Sequence, residues 1–165
     1  MGEPDRYAAS AFPPYRYVPG KSAHPTRDRN GHSYGRVLAP IVVTDQTWRD
    51  CESWLFAVDL FNHGYYWESH EFLEAIWHGA GHDTAIGVFA QALVQAAAAL
   101  LKQSMGQLES AARLASTASA KLRGGASEVL GVRAHDLAAR VEDFVAGRCE
   151  HPPRIALELQ GRGLA

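Results

Sequence analysis

The chain has 165 residues, with 16 Lys+Arg against 18 Asp+Glu and a formal net charge of −2. That length suits one domain with an appended arm, and 47% hydrophobic residues can build a core, which excludes a disordered chain. The balanced charge argues against an electrostatic nucleic-acid binder, and two cysteines, Cys51 and Cys149, are too few for a disulfide framework.

Residues 1–46 hold six of the eight prolines. Proline fixes φ and removes a backbone donor, so no long helix runs here and the stretch reads as an extended arm. Tyr15, Tyr17, Val18 and Tyr34 can anchor it to a core. Residues 1–17 are polar and Pro-rich and do not read as a targeting signal. Ile41-Val42-Val43 suggests a short strand without an obvious partner.

From Thr47 the pattern turns helical, with Trp48, Cys51, Leu55 and Val58 spaced three and four apart, as on a buried face. Thr44 or Thr47 is the expected cap and Gly64 the stop. A second helix is expected from Tyr66 to His78, closed by Gly79 and Gly81. A third, capped by Asp83 or Thr84, runs from Ala85 to Ser104. It is apolar nearly all round and belongs at the centre of the bundle. Its apolar run, Ile86 to Leu101, falls short of a membrane span and contains Gln91 and Gln95. A fourth helix spans Gln107 to Leu122 and a fifth Ala134 to Ala146, with a tail from Pro152-Pro153. The expected fold is all-α: a compact array of about five helices over residues 47–150, an extended Pro-rich arm (1–46) packed on it, and a tail (151–165).

The chemistry concentrates in the second helix. With 3.6 residues per turn, His70, Glu74, Trp67, His78 and Glu71 follow one another, in that order, around less than a third of the helix circumference. Phe72, Leu73 and Ile76 take the opposite side. One face thus carries imidazoles and carboxylates beside an indole, and no Lys or Arg occurs between Arg49 and Lys102. Three carboxylates, Glu68, Glu71 and Glu74, repel one another unless something positive compensates: a protonated His70 or His78, an arginine from the arm, or a metal ion. Glu68 lies off the stripe, where it complements the helix dipole or caps backbone N–H groups. His70 and Glu74, one turn apart, can point at one divalent ion. The pattern His-Glu-x-x-Glu is neither the zincin His-Glu-x-x-His nor the Glu-x-x-His of di-iron bundles. A metal-free hydrogen-bonded network and general acid–base use of His70, Glu71 and Glu74 stand beside the metal reading.

The stretch Phe61-Asn62-His63-Gly64-Tyr65-Tyr66-Trp67-Glu68-Ser69-His70-Glu71-Phe72-Leu73-Glu74-Ala75-Ile76-Trp77 resembles the signature of a small helical family, domain of unknown function 309. Phe61, Asn62, Gly64, Tyr66, Trp67, Glu68, His70, Glu71, Leu73, Glu74 and Trp77 carry the match, and the resemblance extends over about residues 48–122. It implies an all-α fold and no particular reaction. Many relatives carry a basic residue after the final tryptophan, where this chain has His78.

The polar arm segment His24 to Gly35 resembles the arm of some bacterial family members. It either folds over the stripe, with Arg27 or Arg29 pairing a carboxylate in bidentate fashion, or stays a solvated loop. Gln91 and Gln95 form either the far wall of the same pocket or the solvent edge of the third helix with Lys102. Gly20-Lys21-Ser22 lacks the earlier glycine of a phosphate loop, and His135-Asp136 is only a dipeptide. The expected pocket is thus Trp67, Glu68, Gln91, Gln95, His24, Arg27 and His32 around the catalytic or ligating His70, Glu71 and Glu74. The expected ligands are a divalent metal and a small polar molecule, with a homo-oligomer as an alternative use of the surface. No nucleic acid or membrane partner is expected, and the cytoplasm is the expected compartment.

Overall fold

A computed structural model describes residues 2–159. The helical expectation is met element by element: α1 (Glu52–Asn62), α2 (Tyr66–Ala80), α3 (Ala85–Ser104), α4 (Leu108–Gly124) and α5 (Ala134–Val145). Helix α3 lies between α2 and α4, with α1 on α2 and α5 on α4. Its buried face is rich in small residues (Ala90, Ala92, Ala96, Ala97, Ala99) around Leu93 and Leu100, which lets both neighbours approach closely. By length and composition α3 is long and apolar enough to cross a membrane, contrary to the sequence reading; here it is the core helix between its neighbours. Thr84 caps it, accepting from the Gly87 N–H at 3.0 Å.

Four local features differ from the expectation. The threonines do not cap α1. Thr44 and Thr47 bond each other in a turn, a short 3-10 helix follows over Trp48–Asp50, and α1 starts only after extended Cys51. Residues 41–43 form no strand; the Ile41 N–H donates instead to the Ala75 carbonyl of α2 at 2.9 Å. Gly79 lies inside α2 rather than closing it, and its missing side chain makes room for the Ile41 carbonyl, which a Cβ there would meet. The glycine is an arm-packing position, and Gly81, at φ 88°, is the true end.

The fourth is an antiparallel hairpin, β1 (Glu128–Val129) and β2 (Val132–Arg133), before α5. Its two turn residues both have positive φ, Leu130 at 48° and Gly131 at 76°, as a two-residue turn of this hand requires. The arm's end holds it: the Leu130 N–H donates to Asp45 at 2.9 Å, and Trp48 packs where a Gly131 Cβ would be.

The tail is anchored through residue 159. Asn62 brackets Ile155, donating to its carbonyl at 2.8 Å and accepting from its N–H at 2.7 Å, and Ile155 and Leu157 are buried. Residues 160–165 of the expected tail lie outside the described residues.

Candidate functional site

The arm is held by carboxylates that project from α1 and α2. Asp59 is fully buried and accepts three hydrogen bonds, from Arg6 Nε and from the Tyr7 and Ala8 N–H groups, each at 2.9 Å. Glu52 accepts from the Ser10 N–H and hydroxyl at 2.8 and 2.7 Å, which holds its carboxyl below the usual range. Glu68 Oε1 accepts from the Tyr17 N–H at 2.8 Å and lies 3.0 Å from His32 Nε2, with both side chains under 5% exposed. Glu68 therefore neither caps α2 nor serves its dipole at the surface; it points inward and fixes the arm. Asp59 and Glu52 escaped the sequence reading, because periodicity marks apolar faces and says nothing about a carboxylate that an incoming backbone will satisfy.

The stripe on α2 is a separate group. His70 Nδ1 lies 3.3 Å from the Trp67 carbonyl, and His70 Nε2 lies 3.5 Å from Glu74 Oε2. A carbonyl only accepts, so a neutral His70 that keeps this contact carries its proton on Nδ1 and presents an Nε2 lone pair to Glu74. Glu71 Oε1 stands 3.4 Å from His70 Nδ1, on the Trp67 side of the ring, and one ligand atom each from His70, Glu71 and Glu74 fall within 4.8 Å of one another. Burial pushes the Glu71 carboxyl above its usual range; His70 opposes that shift and Glu74 adds to it. His78 continues the line, 3.7 Å from the other Glu74 oxygen.

The arm's arginines do not complete this stripe as expected. Among the described residues, the ion pairs of Glu71 and Glu74 are with histidines. Arg27 touches Glu71 only as a charge at a distance. Arg16 and Arg36 lie over the Tyr65 and Phe72 rings, 5.2 and 5.4 Å from their centroids, and Arg6 goes to Asp59. His24 accepts from the Thr26 and Arg27 N–H groups at 3.3 Å and packs edge-on against Trp67, and burial lowers its pKa. It closes an arm turn beside the site.

Gln91 and Gln95 are not pocket residues. Both accept from Lys121 Nζ of α4, at 2.7 and 3.1 Å, forming a polar clasp between α3 and α4. His82, for which the sequence suggested no partner, lies 3.1 Å from His78 and stacks on Trp77 at 4.3 Å. His82 lies past the Gly81 end of α2, in a turn that folds back on Trp77 and His78, and no periodicity reports such a contact.

Between α1, α2 and the arm lies a cleft of about 220 Å³. Trp67, Glu68 and Glu71 line it from α2, His32, Ser33 and Arg36 from the arm, and Phe56, Leu60 and Phe72 form its apolar wall. The structure thus brings together Trp67, Glu68, Glu71 and His32 at the cleft. His70 and Glu74 lie beside it on the same helix, and Gln91 and Gln95 are elsewhere.

An all-α protein with an arm-roofed cleft beside a His/Glu stripe is the class this geometry defines. Residues 54–114, from α1 into α4, match the model of the family described as Domain of unknown function (DUF309). No curated protein and no solved structure matches the chain.

Proposed function

We propose that the protein binds a divalent cation through His70, Glu71 and Glu74 and uses it in hydrolysis or proton transfer on a small polar molecule held in the adjoining cleft. The observation that carries this reading is the contact of His70 Nε2 with Glu74 Oε2 at 3.5 Å, while the Trp67 carbonyl orients the other ring nitrogen. Ligand atoms about 3.3–3.4 Å apart suit a tetrahedral ion with bonds of about 2.0–2.1 Å. The His70–Glu74 pair is close to that spacing, and Glu71, with the three ligand atoms within 4.8 Å of one another, would draw in on binding. A backbone carbonyl holding the distal ring nitrogen is the usual support of a ligating histidine. A bound ion would supply an acidified water or polarise a carbonyl; Glu71, next to both stripe and cleft, is placed to move a proton. Cys51 and Cys149 are unpaired, which fits the reducing cytoplasm we assign to it.

The test is calorimetry of the dialysed protein with Mn²⁺ and Zn²⁺, backed by elemental analysis. One saturable site, lost in His70→Ala and weakened at least about tenfold in Glu74→Gln, is the expected result. No uptake by the wild type overturns the metal reading.

A second reading draws on Asp59, Glu52 and Glu68. On it the acidic helices only hold the arm, or a second copy of the chain, and the stripe belongs to that network. His70→Ala would then cost about 1–3 kcal/mol of stability, whereas a functional stripe loses little or even gains.

A further inference from the structure

Glu68 is 4% exposed, and its two oxygens are used unequally. Oε1 takes the Tyr17 N–H and the His32 ring. Oε2 is buried without a hydrogen-bond partner. A buried carboxylate oxygen left without a donor is costly, and such groups in native proteins call for an explanation. This one belongs to a side chain that lines the cleft.

The rest of the lining narrows what would answer it. The arm's two donors at Glu68, the Tyr17 N–H and His32 Nε2, are both committed to Oε1, and Arg36, an exposed residue, lies over the Phe72 ring. Glu71 adds a second carboxylate to the same wall. Phe56, Leu60, Phe72 and Leu38 form the apolar part of the remaining lining, and Thr26 and Ser33 its polar part, with the Ser33 hydroxyl taken up by His32 Nδ1 at 2.8 Å. At about 220 Å³ the space is far larger than one water requires, and somewhat below the ~300–1,000 Å³ of drug-sized sites.

We propose that this cleft binds a small molecule that presents a primary amine to the Glu68 carboxylate and a compact aliphatic body to Phe56, Leu60 and Phe72. The ammonium supplies the missing donor and a positive charge beside the Glu68 and Glu71 carboxylates, and the apolar wall fixes the orientation. Glu68 is not one of the three cation ligands, so this site stands whether or not the stripe holds a metal.

The experiment is an amide-resonance titration in excess chelator, so that it reads the cleft alone. The probes are isobutylamine, isobutanol and isobutyrate, alike in shape and different in head group. Isobutylamine is expected to give saturable millimolar shifts confined to the arm and α2 residues of the cleft, with isobutanol and isobutyrate at least about tenfold weaker, since a hydrogen bond to a charged group contributes about 1.5–3 kcal/mol. Glu68→Gln keeps a carbonyl for Tyr17 and His32 and replaces the free acceptor by a donor, and should weaken the amine by a similar factor. Leu38→Phe, which leaves Glu68 alone and fills the cleft, should abolish binding even if the Gln variant folds poorly. Equal binding of amine and alcohol, or unchanged amine binding in Leu38→Phe, overturns the proposal; so does the absence of saturable shifts, which would leave Oε2 to bound water.

Discussion

At Glu71 the sign of a protonation effect can be worked out. Burial raises its folded pKa above the unfolded value, so the folded state holds the proton more tightly. Stability from this group is therefore fully present below the unfolded value of 4.5 and falls as pH rises through the folded one. Glu71→Gln should stabilise the metal-free protein at pH 7 by under ~1 kcal/mol, kept small by solvent at a side chain one-third exposed, with no gain at pH 4. Urea melts at the two pH values check this. The stripe containing Glu71 was legible in the sequence, because a 3.6-residue period is enough to gather His70, Glu71, Glu74 and Trp67 on one face. The inward direction of Glu68 was not. Its position on the helix wheel is ordinary, and only the arriving Tyr17 N–H and His32 make a buried carboxylate there tolerable.

Between elements, the arm's seat on α1 and α2 controls the site, because the cleft has walls from both. Asp59→Asn keeps the shape but removes one acceptor oxygen and the charge, and should cost about 1–3 kcal/mol. The expected signature is faster tryptic cleavage at Arg16, Lys21 and Arg27 with unchanged helical circular dichroism. Gly79→Ala separates two opposed effects. Alanine in a helix interior gains about 1 kcal/mol over glycine. Here the added methyl meets the Ile41 carbonyl at 2.0 Å, so a net loss of about 1–3 kcal/mol is expected in the urea midpoint. The helices themselves were readable to within a few residues, since their glycine stops and apolar faces are local signals. The 3-10 start before α1, the hairpin of β1 and β2 and the length of α2 were not, because each depends on a distant partner: Trp48 on Gly131, Asp45 on Leu130, Gly79 on Ile41.

Across the whole molecule, the sequence splits into a basic arm and an acidic middle, and the two do meet. They meet mostly where backbone N–H groups of the arm donate to Asp59, Glu52 and Glu68 rather than through surface pairs of opposite charge. Arg16 and Arg36 rest on aromatic rings. Exposed pairs are screened by salt, while buried hydrogen bonds are screened far less. Tryptic cleavage of the wild-type arm should accordingly be nearly the same at ~0.05 and ~1 M NaCl; marked acceleration at high salt would show docking by long-range charge instead.

The contacts of Tyr7 and Arg154 have a consequence in time. Tyr7 accepts from the Leu157 N–H, 150 positions away, and Arg154 donates to the Gly2 carbonyl, 152 away. During synthesis the arm emerges first. Its acceptors Asp59 and Glu68 follow about half a hundred positions later, and the tail that meets its opening residues comes last. Local helices form quickly, while contacts so distant in sequence must wait for the intervening chain. The cleft can be roofed once α2 has left the ribosome, but the arm's first residues reach their final places only after residue 157 exists.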